Sequence, residues 1–105
     1  MKNQFLSKLS INPYPGTLNL EIIDPESLQT FKDLKATTGI EITPEDPSFC
    51  SAQCYPVLIN GQLKGAIVLP MVKDYPENKM ELTASQNIKK ALFLNTGDML
   101  EVEIL

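Results

Sequence analysis

The 105-residue sequence predicts a mainly β chain with short helices, folded as one small barrel-like domain. Three observations carry this. Asn60-Gly61 lies between two apolar runs, the strongest short-range hairpin signal a sequence offers. Apolar and polar residues alternate over 17–23, 79–83 and 99–105, the period of half-buried strands. The strands and helices show no strand–helix–strand rhythm of the kind that builds a doubly wound sheet.

The elements follow in order. Phe5, Leu6 and Leu9 sit at helical spacing within 3–9. Asn12-Pro13-Tyr14-Pro15-Gly16 is a rigid turn, since two prolines and a glycine do not continue a helix. Leu18, Leu20 and Ile22 then share one strand face, and Thr17, Asn19 and Glu21 the other. Asp24-Pro25 opens a helix, with Asp as N-cap and Pro at the first helical position. Leu28, Phe31 and Leu34 form its buried stripe, and Gly39 ends the segment.

A short strand over 40–43 leads into an acidic, proline-marked loop at 44–47. A long strand candidate covers 49–59, where Pro56 suggests an edge position or a bulge. The return strand, 63–69, is closed by Pro70, and a polar loop covers 74–78. On the strand at 79–83, Met80 and Leu82 face one way, Glu81 and Thr83 the other. Ser85 is expected to cap a helix through Phe93, with Ile88, Ala91 and Leu92 inward. A turn at 95–98 precedes the last strand, 99–105.

Composition narrows the function. The longest apolar stretch, Ala66-Ile67-Val68-Leu69, is far too short to span a bilayer. The first six residues hold one lysine with no apolar run behind it, so no signal peptide is read and a cytoplasmic protein is expected. The net charge is −4, and all nine basic residues are lysines, which disfavours nucleic acid as a partner. No histidine is present, so proton transfer falls to Asp, Glu, Lys, Tyr or Cys. Cys50 and Cys54 would share one strand face about 13 Å apart, too far for a disulfide, and read as small buried apolar residues of a reducing compartment.

Three segments, in this order, carry a resemblance. Pro13-Tyr14-Pro15-Gly16-Thr17-Leu18-Asn19-Leu20 is similar to a PYxGTLN segment. Gly65-Ala66-Ile67-Val68-Leu69-Pro70 is similar to a GAIVVP strand. Tyr75, Glu81-Leu82-Thr83-Ala84, Asn87-Ile88-Lys89 and Gly97-Asp98 follow a pattern of an EIIA strand, an LRE helix and a GD turn. Together they resemble the archaeal CTP-dependent riboflavin kinases over about nine-tenths of the chain.

The resemblance implies a six-stranded, cradle-loop β-barrel that phosphorylates riboflavin with CTP to give FMN. It places Mg²⁺ on Thr17 and Asn19, and it matches Asn87, Lys89 and Tyr75 to the ligand-binding part of the pattern. Glu81 is then the candidate catalytic residue, a carboxylate to accept the proton of the attacking hydroxyl. Thr17 and Asn19, two apart on a strand, point the same way and offer the neutral hard oxygens that Mg²⁺ accepts beside phosphates and water. The same pattern fits a polar, solvent-facing strand edge, and Glu81 fits an outward strand carboxylate.

The family commonly has histidine where Tyr75 stands and arginine where Lys89 stands. Lysine attracts a phosphate without the bidentate fork, and a tyrosine ring offers stacking to a flavin. Only twelve residues precede Pro13, and they resemble the short helix that follows the family's glycine-rich loop and first strand. The expectation is therefore a barrel lacking its first strand, whose two open edges a homodimer or partner would cover. The alternative function is a non-catalytic flavin- or nucleotide-binding relative or partner subunit.

Overall fold

In a computed structural model describing residues 2–14, 16–43, 51–72 and 74–105, the chain opens with helix α1 (Lys2–Leu9), strand β1 (Leu18–Glu21) and helix α2 (Pro25–Lys35). Strands β2 (Ile40–Ile42), β3 (Ala52–Ile59), β4 (Leu63–Pro70) and β5 (Lys79–Ala84) follow, then helix α3 (Ile88–Ala91) and strand β6 (Val102–Ile104). The expected loop at 44–47, the start of the 49–59 strand with Cys50, and Pro15 of the first turn lie outside the described residues.

The β3–β4 hairpin organises the sheet. Asn60 and Gly61 take left-handed conformations, φ 51° and 65°, and the Gln62 N–H closes the turn on the Ile59 carbonyl at 3.0 Å. Eight residue pairs then run from Ile59↔Leu63 to Ala52↔Pro70. Every pairing is antiparallel, in the order β1-β5-β4-β3-β2, with β6 also on β3. The sheet stays open and curls into a half-barrel: among the described residues, β1 and β2 each leave one edge without a strand. This is the mainly β fold with short helices that the sequence predicts, with six antiparallel strands in a curled half-barrel.

Pro56 corrects one expectation. It lies neither on an edge strand nor at a bulge but within β3, opposite Ala66 of β4. Its carbonyl accepts the Leu105 N–H at 3.0 Å, so its nitrogen faces that same side. There β2 pairs as far as Cys54 and β6 begins at Val57. The missing donor falls between these two pairings, so neither ladder loses a bond within its length.

Both faces of the sheet are covered. On one, Tyr55, Val57, Ile59, Ile67, Leu82 and Ala84 pack against Phe31 of α2 and Ile88 of α3. Asp24 starts α2 as predicted, its carboxylate accepting the Ser27 N–H at 2.8 Å; the Ser27 side chain first, and then this backbone bond, hold its carboxyl below the usual range. On the other face, Cys54, Ala66 and Ile42 pack against Phe5 and Leu9 of α1 and Ile11 just beyond it. Gln4 ties α1 to Thr43, accepting its N–H at 2.9 Å and donating to its carbonyl at 2.6 Å, and Lys8 donates to the Glu41 carbonyl at 2.8 Å. Thr83, predicted on the polar face of its strand, is 3% exposed because that face is also core. Among the described residues no helix is long and apolar enough to cross a membrane.

The second correction concerns the last helix. Asn87, not Ser85, is the N-cap, its side-chain oxygen accepting the Lys90 N–H at 3.1 Å. β5 continues to Ala84, whose carbonyl takes the Tyr14 N–H at 2.8 Å, so the chain turns over 85–87 before it can coil. The helix ends at Leu92 with paired bonds from Phe93 N–H to Lys90 O (3.4 Å) and from Leu94 N–H to Lys89 O (2.8 Å), leaving Phe93 left-handed at φ 56°. The final strand is shorter than 99–105, and Leu100 packs into the core instead of extending it.

Candidate functional site

β1 pairs with β5 only from Leu18↔Leu82 to Glu21↔Lys79. Upstream, the Tyr14 N–H bonds the Ala84 carbonyl at 2.8 Å, while Gly16 and Thr17 lie outside the β1–β5 ladder. A groove of about 360 Å³ lies between this segment and the turn after β5. Gly16, Thr17, Leu18 and Asn19 form one wall, Leu82, Thr83 and Ala84 the floor, and Gln86, Asn87, Ile88 and Lys89 the other wall. Four of the residues nominated from sequence, Thr17, Asn19, Asn87 and Lys89, therefore line one cavity. Strand pairing and the turn after β5 bring them together from positions about 70 apart in the chain.

Asn19 lies opposite Glu81 in the β1–β5 register, so their side chains stand on the same face. The Thr17 hydroxyl donates to Glu81 Oε1 at 3.0 Å, and the Tyr75 hydroxyl donates to Glu81 Oε2. Glu81 thus sits at the groove margin with a donor on each oxygen. Tyr75 is half-buried. Burial first, and then its bond to Glu81, hold its phenol well above the ordinary range. The ammonium of Lys79 lies 5.3 Å from the centre of its ring. Lys89 is exposed and donates to the Thr96 hydroxyl at 3.2 Å, while the Asn87 oxygen is occupied in capping α3.

The donor set fits a phosphate-borne hard cation better than a protein-caged one. No group of three or more His, Cys, Asp or Glu side chains gathers among the described residues. Thr17 and Asn19 offer neutral oxygens, and because the Thr17 hydroxyl spends its proton on Glu81, its lone pairs are free to face a cation. Cys54 plays no part here: it is fully buried under α1, and burial pushes its thiol up to about 12.

The described residues thus form a half-barrel with a polar groove between its first strand and the turn after its fifth, and comparison with known proteins gives its family. The family model of CTP-dependent riboflavin kinase domains, described as "Domain of unknown function DUF120", matches residues 1–104. The chain is 40% identical over 106 residues to a riboflavin kinase of Methanoculleus marisnigri, covering 98% of this chain and 47% of that protein. It is 31% identical over 103 residues to a riboflavin kinase of Methanothermobacter thermautotrophicus, covering 98% and 80%. With a riboflavin kinase of Archaeoglobus fulgidus the identity is 36% over 107 residues, covering 99% and 45%. The chain belongs to the riboflavin kinase family. It spans about half the length of most of the curated relatives it matches.

Proposed function

We propose that this chain transfers the γ-phosphoryl group of CTP to the ribityl 5′-hydroxyl of riboflavin, forming FMN and CDP. The observation that carries the reading is the convergence of Thr17, Asn19, Asn87 and Lys89 on one groove whose margin holds Glu81. Thr17 and Asn19 would hold a Mg²⁺ ion, which supplies charge neutralisation on the phosphates. Lys89 attracts the phosphates as a point charge, and Asn87, with its oxygen engaged, offers its amide N–H groups. Glu81 accepts the proton of the attacking hydroxyl as its oxygen bonds to phosphorus. The bond between that phosphorus and the bridging oxygen breaks, and the CDP oxygen leaves with the electron pair.

The test is turnover: purified chain, riboflavin, Mg²⁺ and either CTP or ATP, with FMN measured by chromatography. FMN is expected with CTP, and Asn19→Ala is expected to lower the rate about 100-fold. No FMN with either nucleotide, from folded protein, overturns the reading. One observation favours a second reading, a relative that binds without turnover: both oxygens of Glu81 already carry hydroxyl donors. Quenching of riboflavin fluorescence without FMN formation is the result that selects it.

A further inference from the structure

Lys79 and Glu81 are two apart on β5, so their side chains stand on one face about 7 Å from each other. Tyr75 lies across both. The Lys79 ammonium faces its ring at 5.3 Å, and its hydroxyl donates to Glu81 Oε2. The loop that presents Tyr75 is fixed from behind. Lys32 pairs with the Glu77 carboxylate at 3.1 Å, Lys35 donates to the Glu77 carbonyl at 3.2 Å, and the Ile22 N–H donates to the Asn78 carbonyl at 2.8 Å. On its other side Glu81 receives Thr17 at 3.0 Å. A glutamate on a strand ordinarily turns about three side-chain torsions. Here one donor comes from the segment before β1 and the other from a loop anchored to α2, and together they fix the plane of the carboxylate.

We propose that Tyr75 is a positioning residue: its hydroxyl locks the Glu81 carboxylate into one orientation at the groove margin. This rests on the reading of Glu81 as the proton acceptor. The ring has one face against Lys79 and its polar end on Glu81, so its contacts are made before any ligand arrives. The raised phenol keeps its proton across the neutral range and remains a donor.

Tyr75→Phe removes that donor and keeps the ring. The expected result is a fall in kcat for FMN formation of roughly 10- to 100-fold, with KM for riboflavin and CTP within about twofold. In a Glu81→Gln background, Tyr75→Phe is expected to change kcat no further. A silent Tyr75→Phe beside an inactive Glu81→Gln overturns the positioning role alone, as does a raised riboflavin KM with unchanged kcat. Wild-type kcat in Glu81→Gln overturns the proton-acceptor reading instead. Should the wild-type chain give no FMN, the melting temperatures of the same four proteins decide the contact. Non-additive shifts support it and additive shifts overturn it.

Discussion

Gly65 sets the spacing between β4 and β5, and its replacement by alanine tests how tightly the groove floor is built. A Cβ at this position would stand 2.6 Å from the Thr83 carbonyl oxygen and 3.0 Å from Ile59 Cδ1. Ordinary carbon–oxygen contact begins near ~3.3 Å, so β5 would have to retreat by about 0.7 Å at Thr83. Ile59 is fully buried, leaving its methyl no free direction of escape. Overpacking of this kind costs about 1–3 kcal/mol, and the stiffer unfolded chain of alanine returns up to ~1 kcal/mol. The net is a loss of about 1–2 kcal/mol, a fall in Tm of roughly 5–15 °C for a chain of this size. Circular-dichroism melts of the two proteins measure it. Because β5 carries both Thr83 of the floor and Glu81 of the margin, FMN formation below the melting range should fall as well. A Tm equal to or above wild type would refute the reasoning, because it would mean that the β4–β5 spacing relaxes without penalty.

Two further predictions concern stability. Burial raises the Cys54 thiol from 9.0 to about 12, so its contribution is fully present below pH 9 and is lost as pH rises towards 12, by about 1.4 kcal/mol per pH unit. Urea midpoints between pH 8 and 11 should fall more steeply for wild type than for Cys54→Ala, and parallel curves would remove the buried thiol as the cause. Phe93 occupies the left-handed position after α3 and is 91% exposed as a residue. Phe93→Gly should relieve the backbone at little loss of packing and stabilise by about 0.5–1 kcal/mol in urea titration, whereas a drop would show that the ring makes a contact.

What the sequence made legible were the features with local causes. Asn60-Gly61 dictates its turn through backbone conformation, Asp24-Pro25 starts α2 through one side-chain bond, and the alternation of 18–21 assigns the faces of β1. Thr17 and Asn19 were found through their motif, and strand pairing then placed them beside Asn87 and Lys89. Features decided between distant segments were hidden. Ser85 and Asn87 are equally good capping residues, and the choice fell to Asn87 because β5 extends to Ala84. Covering of the second face by Phe5, Leu9 and Ile11 was missed, although the near-continuous apolar runs of β3 and β4 were its signal. The bond from Tyr75 to Glu81 joins a loop to a strand, and no periodicity encodes it.

Pro56 divides the outer rail of the central hairpin into two berths. Between them lies a backbone site with no hydrogen to give, so a single long strand cannot zip along the whole of β3. A slip of β2 past its berth into the place of β6, whose residues come more than forty positions later, would forfeit a ladder bond at Pro56. In the folded sheet the C-terminal segment holds the second berth and β2 the first. A foreign strand meeting the nascent hairpin finds only two short footholds, each three residues long in the native pairing, instead of one continuous template.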